Sequence, residues 1–311
     1  MISATFNAQP NTSKYPFDLD DETSYSEWRR LKLEGYPDTL DAFAVPIRDP
    51  ESPSQVELDA IARLCAKANM AVYHVDRPLG KNGALKLAHM LGLNRLDVPL
   101  YTKEPGVTEI QNVDSGRQGE YAPYTDRALS WHTDGYYNSS ENQVRGMVLH
   151  CERAATEGGV TSLLDPEIAY IRLRDENSGY IAAMMEENAL TIPENVESGV
   201  LVRPAETGPV FSVIEGFLHM RFTARRRYIE WKSGKTLERA REFLMALLEA
   251  PDGPVLRHRL AAGDGLISNN VLHTRSAFRD ENDAQTGNGR LFLRARFLDR
   301  VSVVNGDGEN D

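Results

Sequence analysis

Six short β-leaning segments are spread from residue 146 onward in a 311-residue chain: Gly146 to Cys151, Val160 to Leu164, Pro209 to Ile214, Phe217 to Phe222, Gly265 to Ser268 and Leu291 to Phe297. Helical patterns fall between them at irregular intervals. A parallel doubly wound sheet needs strands and helices in strict alternation, whereas strands scattered this way suit an antiparallel β-core decorated by helices. The expected class is therefore an all-β core with helices, α+β overall.

The helices announce themselves by caps and stripes. Ser54 and Glu57 form a capping box, Leu58, Ile61, Leu64, Cys65 and Ala68 make an apolar stripe, and Asn69 can end the helix. The run Met70 to Val75 predicts a strand, and Ala84 to Leu91 a second helix. Asp165-Pro166 supplies an N-cap and a proline at N1 for a helix to about Arg174. Leu237, Ala240, Leu244, Leu247 and Leu248 mark another, ending before Pro251-Asp252-Gly253. No repeat or linker divides the chain, so residues 1–311 are taken as one domain. Residues 1–25 and 304–311, rich in Asn, Asp, Gly, Ser and Pro, are expected to be loose ends.

With 41 % apolar and 26 % charged residues, the chain has the composition of a globular protein. Its formal charge of -11 repels phosphate backbones and anionic lipid, which argues against nucleic acid and membrane surfaces as partners. Cys65 and Cys151 lie in apolar surroundings without a C-x-x-C pattern and are expected to be buried thiols. No basic stretch leads into an apolar leader, and no apolar run is long enough to span a bilayer. A soluble cytoplasmic protein acting on a small molecule is expected; whether it forms a homo-oligomer is left open.

Three H-x-[DE] triplets occur: His74-Val75-Asp76, His132-Thr133-Asp134 and His150-Cys151-Glu152. On a strand such a triplet puts both side chains on one face, but chance alone gives about one in a chain of this composition. Context separates them. Trp131-His132-Thr133-Asp134-Gly135-Tyr136-Tyr137 is followed far downstream by Gly263-Asp264-Gly265, a short apolar strand, and Leu272-His273-Thr274-Arg275-Ser276-Ala277-Phe278. Together they offer two imidazoles and one carboxylate on one face of a metal ion, with three positions left open. The remaining histidines, His74, His89, His150, His219 and His258, fit core or surface roles.

These segments resemble the iron(II)/2-oxoglutarate dioxygenases of the taurine dioxygenase (TauD/TfdA) superfamily. Tyr124 to Asp134 looks like the approach to the metal in γ-butyrobetaine hydroxylases, and His273 to Phe278 like the distal histidine segment of the clavaminate synthase branch. The resemblance runs from about Tyr124 to Phe297. It implies a double-stranded β-helix, or jelly roll, with outer helices, and Fe(II) held by His132, Asp134 and His273, with 2-oxoglutarate and O2 as cosubstrates. Because Asp134 fills the position that related halogenases leave for chloride, it also implies hydroxylation or hydroxylation-led cleavage.

Alternation along Arg290 to Phe297 puts Arg290, Phe292, Arg294 and Arg296 on one face and Leu291, Leu293, Ala295 and Phe297 on the other. Taken alone, such a strand is more often an exposed edge carrying arginines for solubility. Placed 17 residues after His273, it resembles the family's R-x-x-x-R pattern, which assigns Arg290 to the distal carboxylate of 2-oxoglutarate and Arg294 to the metal-proximal region. A guanidinium offers a carboxylate two parallel hydrogen bonds, which suits the part. Thr161, 27 residues after Asp134, resembles the family threonine that bonds the same carboxylate.

Tyr136, Tyr137 and Asn138 are candidate pocket residues, and Arg221, Arg225 to Arg227 and Arg296 candidate receivers of an anionic group. Aromatic side chains could equally cradle a quaternary ammonium. The expected substrate is a small polar metabolite: an amino acid, betaine, sulfonate or carboxylate. Two other classes are weighed beside this one. A zinc-dependent hydrolase with the same three ligands leaves the Arg290 strand and Thr161 unexplained. A metal-free jelly-roll binding protein makes the triad a coincidence.

Overall fold

A computed structural model of the chain describes residues 16–98, 106–112, 122–225, 229–280 and 289–302. Two sheets face each other across an apolar core. The larger has six strands in the order Ala44–Pro46, Met70–His74, Asp264–Ser268, Gly146–Arg153, Leu291–Phe297 and Thr108–Gln111. All its pairings are antiparallel except that of Ala44–Pro46 with Met70–His74. The smaller has four, in the order Leu256–His258, Thr161–Leu164, Leu272–Arg275 and Leu129–His132, all antiparallel. This is the expected jelly roll.

Met70, Val72, Met147, Cys151, Leu266 and Phe292 from the larger sheet pack on Leu163 and Leu256 from the smaller and on Val271 just ahead of its strand Leu272–Arg275. The other face of the larger sheet, with Ala71, Tyr73, Val148, Ile267, Ala295 and Phe297, is covered by helices α2 (Gln55–Ala68) and α3 (Gly80–Met90). A second layer of α1 (Glu22–Leu33), α4 (Pro166–Glu176), α5 (Ser178–Met184) and α6 (Lys235–Glu249) packs around Tyr170, Phe211 and Leu244. A jelly roll leaves both sheet backs apolar, and the helices remove that surface from water.

Local signals predicted the local elements. Ser54 accepts from the Glu57 amide while the Glu57 side chain accepts from the Ser54 amide, and Asn69 closes α2 in the left-handed region at φ 58°. Asp165 caps α4 ahead of Pro166. Cys65 and Cys151 are buried free thiols, and burial pushes both up to about 12. No described helix is long and apolar enough to cross a membrane.

Residues 16–25 depart from the loose N-terminus expected through residue 25. Phe17 and Tyr25 are buried, and both rings meet Tyr170 edge-on, at 5.5 and 6.3 Å between centroids. The tail expected over 304–311, like residues 1–15, lies outside the described residues.

Candidate active site

The smaller sheet sets two histidines side by side. His273 pairs directly with His132 across the junction of Leu272–Arg275 with Leu129–His132, and their ring centroids are 4.4 Å apart. Each ring is oriented from behind by a carbonyl two residues earlier: His132 Nδ1 lies 2.8 Å from Ser130 O, and His273 Nδ1 2.9 Å from Val271 O. A carbonyl only accepts, so each Nδ1 donates and each Nε2 keeps its lone pair, the arrangement of metal-binding imidazoles. Burial, with His273 beside it, pushes the His132 ring down to about 3, so it is neutral at physiological pH.

Asp134 stands in the turn just past His132. The Asn270 side chain grips this turn, accepting from Asp134 N at 2.8 Å and donating to Asp134 O at 2.9 Å and to Val144 O at 2.6 Å. Gly135 follows at φ 64°, where a Cβ would lie 2.5 Å from Val144 Cγ2, so the close passage of the turn requires glycine. The Asp134 carboxyl is buried, which opposes its ionisation. Arg294, Arg296 and the two histidines outweigh that and hold it well below the usual carboxylate range. Arg294 Nη1 is 3.1 Å from Oδ1, Arg296 Nη1 is 3.7 Å away, and Oδ2 is buried without a hydrogen-bond partner.

Among the described residues no three His, Cys, Asp or Glu side chains converge as a ready metal cage. At this centre Asp134 Oδ1 accepts from Arg294. The donor set still fits a divalent transition metal. It offers an unsatisfied buried carboxylate oxygen beside two imidazoles whose Nε2 atoms remain available.

A second cationic pocket lies at Phe278. The strand Leu291–Phe297 is no solvent-exposed edge, since Gly146–Arg153 and Thr108–Gln111 flank it. Arg290 is 4 % exposed, stacks at 3.8 Å on the Phe292 ring, and leaves Nη1 without a partner. Burial and the neighbouring Arg275 push it down to about 9. Arg275, also 4 % exposed, donates Nη2 to Thr125 O but leaves Nε and Nη1 unpartnered. Both guanidiniums lie against Phe278, at 4.7 and 5.0 Å from its centroid. Thr161, 6 % exposed, pairs directly with Arg275 across the strands. Two buried like charges with unused donors are of the kind that a carboxylate would satisfy.

The remaining candidates divide. Tyr136 lies edge-on to His132 at 6.5 Å and to Tyr137 at 5.2 Å, forming a wall of the centre. Arg296 is ion-paired to Asp97 at 2.5 Å and donates to Tyr137 Oη at 2.9 Å. Asn138 donates to Asp97 and to Asn142 O, bracing a turn. Arg221 spends its donors on the carbonyls of Tyr136, Leu190, Gly208 and Glu206, so it is not an open anion receiver. Arg226 and Arg227 lie outside the described residues. Neither rival histidine joins the centre: His74 bonds Asp264, and His150 stacks on Tyr73.

Sequence reasoning missed three residues. Arg275 sits two places after His273, a spacing that strand alternation makes legible in retrospect. Asn270 and Asp97 act through turns and a distant pairing, which no local pattern reveals.

Comparison with known proteins gives the fold and the family. A uridine-5'-phosphate dioxygenase from Amycolatopsis sp is 32% identical over 183 residues, which is 56% of this chain and 62% of that relative, so the chain matches under two thirds of its length. An asparagine oxygenase solved with Fe(II), 2S,3S-3-hydroxyasparagine and succinate has a TM-score of 0.57 at 18% identity, covering 92% of this chain and 86% of that one. The non-heme iron oxygenase OrfP, solved with Fe, succinate and (3S)-hydroxy-L-Arg, has a TM-score of 0.56 at 15% identity, covering 82% of each chain. These structures share the fold. The model of the taurine catabolism dioxygenase TauD, TfdA family matches residues 42–296, most of the chain, and the protein belongs to that family.

Proposed function

We propose that this protein is an Fe(II)- and 2-oxoglutarate-dependent dioxygenase that oxidises a small polar metabolite, with His132, Asp134 and His273 as metal ligands. The observation that carries the reading is the pairing of two pockets. One gathers two imidazoles and an ionised carboxylate; the other holds Arg290 and Arg275 buried with donors unspent, Arg275 opposite Thr161 and two residues beyond His273. A zinc hydrolase needs the first and gives no reason for the second. A non-catalytic binding protein needs neither.

When bound, the ferrous ion and 2-oxoglutarate supply the oxidising chemistry, consuming O2 and giving succinate and CO2. The chain's own residues prepare the ground. Ser130 O and Val271 O fix the imidazole tautomers, and Asn270 fixes the turn that carries Asp134. Arg290, Arg275 and Thr161 receive the distal carboxylate of the keto acid, replacing the water that unpaired guanidiniums would otherwise need. Arg294 stands beside the centre for the proximal carboxylate or the substrate. Tyr136 walls the site and limits which C–H bond reaches it.

The names of the relatives support two substrate classes, a phosphorylated nucleoside and an amino acid. The test is a succinate-release screen over amino acids, betaines, sulfonates, dicarboxylates, and uridine with and without its 5'-phosphate. A compound that raises Fe(II)-dependent succinate release, with its oxidised product formed in equal amount, is the expected result. Asp134→Ala should abolish that release. Retained turnover in Asp134→Ala would remove this centre from the reaction.

A further inference from the structure

Arg296 is shared between two buried carboxylates. The side chain, on a residue 4 % exposed, places Nη2 2.5 Å from Asp97 Oδ2 and Nη1 3.7 Å from Asp134 Oδ1. Among the described residues these are its ion pairs. Nη1 donates to Tyr137 Oη at 2.9 Å, whereas Nε and Nη2 carry no hydrogen bond. On the Asp97 side the guanidinium is therefore held by charge more than by aligned donors.

Asp97 is fixed in its turn. Its amide donates to Arg296 O at 2.8 Å, next to the antiparallel bridge of Leu96 with Phe297, and its Oδ1 accepts from Asn138 Nδ2 at 2.8 Å. Asn138 belongs to the turn that carries Asp134, since its amide donates to Gly135 O at 2.8 Å. The contacts close a ring that runs from the Asp134 turn through Asn138, Asp97 and Arg296 back to Asp134. Breaking a buried ion pair on one side strands the other charge, which must find a new partner. Without the charge of Asp97, the carboxylate within reach of Arg296 is Asp134, which already accepts from Arg294 at 3.1 Å. That carboxylate is also the one a metal has to bind.

We propose that Asp97 is a positioning residue for the metal centre: it holds Arg296 away from Asp134, so that this carboxyl keeps an oxygen open to a divalent cation. Arg296 then lends its charge to Asp134 without occupying Oδ2, the oxygen that is buried without a hydrogen-bond partner. This rests on the dioxygenase reading, in which Asp134 is a ligand, and adds the residue that keeps that ligand available.

The experiment is an anaerobic equilibrium titration of the whole protein with Fe(II), without 2-oxoglutarate or substrate, so that it reads binding and not turnover. Asp97→Asn keeps the shape and an oxygen to accept from Asn138 but removes the charge, and Fe(II) affinity should fall about tenfold. Arg296→Gln should bind Fe(II) at least as tightly as the wild type. Combining the two substitutions removes both buried charges together and should restore most of the affinity lost in Asp97→Asn. A plain brace gives another pattern: each single variant loosens the turn, and the double variant recovers nothing. Unchanged affinity in Asp97→Asn, a loss in Arg296→Gln, or no recovery in the double variant would each overturn the proposal. Where Asp97→Asn does not fold, the Arg296→Gln titration decides by the same criterion. Wild-type Fe(II) binding that Asp134→Ala leaves untouched would instead overturn the metal centre beneath the proposal.

Discussion

Asn270 holds Asp134 by both its amide and its carbonyl, and Val144 by its carbonyl, from a left-handed backbone at φ 54°. Asparagine tolerates that conformation better than most residues, and its amide supplies one acceptor and two donors, all of them used here. Asn270→Ala should cost about 2–4 kcal/mol in denaturant unfolding and lower iron affinity about 10–100-fold by equilibrium titration. Unchanged iron affinity would show that the Asp134 turn holds itself. The arginine pocket makes a different kind of prediction. Arg290→Lys keeps the charge but loses the planar fork that stacks on Phe292, so the KM for 2-oxoglutarate should rise roughly tenfold or more. Initial rates at varied 2-oxoglutarate check it, and a near-normal KM would place the distal carboxylate elsewhere.

Strand Asp264–Ser268 runs between Met70–His74 and Gly146–Arg153, and its register puts Gly265 opposite both Tyr73 and His150. Those two rings lie parallel, with centroids 5.8 Å apart, over the space a side chain would need; a Cβ on Gly265 would be 2.0 Å from the Tyr73 ring. Gly265→Ala should therefore destabilise the protein by about 1–3 kcal/mol, measured by chemical unfolding, and a neutral effect would show that the strand can shift. What could be read from sequence follows the same logic of range. Helix α2 was legible because its cap, stripe and stop lie within sixteen residues, Ser54 to Asn69. The start of α3 at Gly80 was not, because Leu79 offers no side-chain cap. Helix α1 went unread because Tyr25 finds its partners near Tyr170 and Asp175, distant in the chain. Along Leu291–Phe297 alternation assigned the faces, but that both faces are buried depends on two neighbouring strands and on α2 and α3. Arg275 was obscured in addition by a register shift between it and His273.

The whole molecule binds its layers with polar groups as well as apolar ones. Lys32 of α1 is buried against Asp165 and Glu167 at the start of α4, and Asn69 at the end of α2 donates to the same Asp165. Two histidines are buried: burial, only partly offset by Asp264, pushes His150 down to about 4, and burial with Arg300 and Arg145 nearby pushes His219 down to about 3. In the unfolded chain both take up a proton near 6.5. Below that pH the unfolded state binds more protons, so stability should fall as pH drops from 6.5 towards 4, by about 1.4 kcal/mol per pH unit for each ring. Chemical denaturation across that range, compared with His150→Gln and His219→Gln, tests it; a flat profile would mean that the rings are protonated in the fold.

At this same scale the smaller sheet pairs His273 with His132 from segments far apart in the chain, with Arg275 two residues beyond His273, and the proposed centre adds Asp134, on whose carboxyl both rings act. Visible absorption under anaerobic conditions addresses that convergence directly. Fe(II) and 2-oxoglutarate added together to the wild type should produce a weak charge-transfer band, lost in His273→Ala and in Asp134→Ala, whereas a protein that binds zinc but shows no such band, or variants that keep it, would contradict the account.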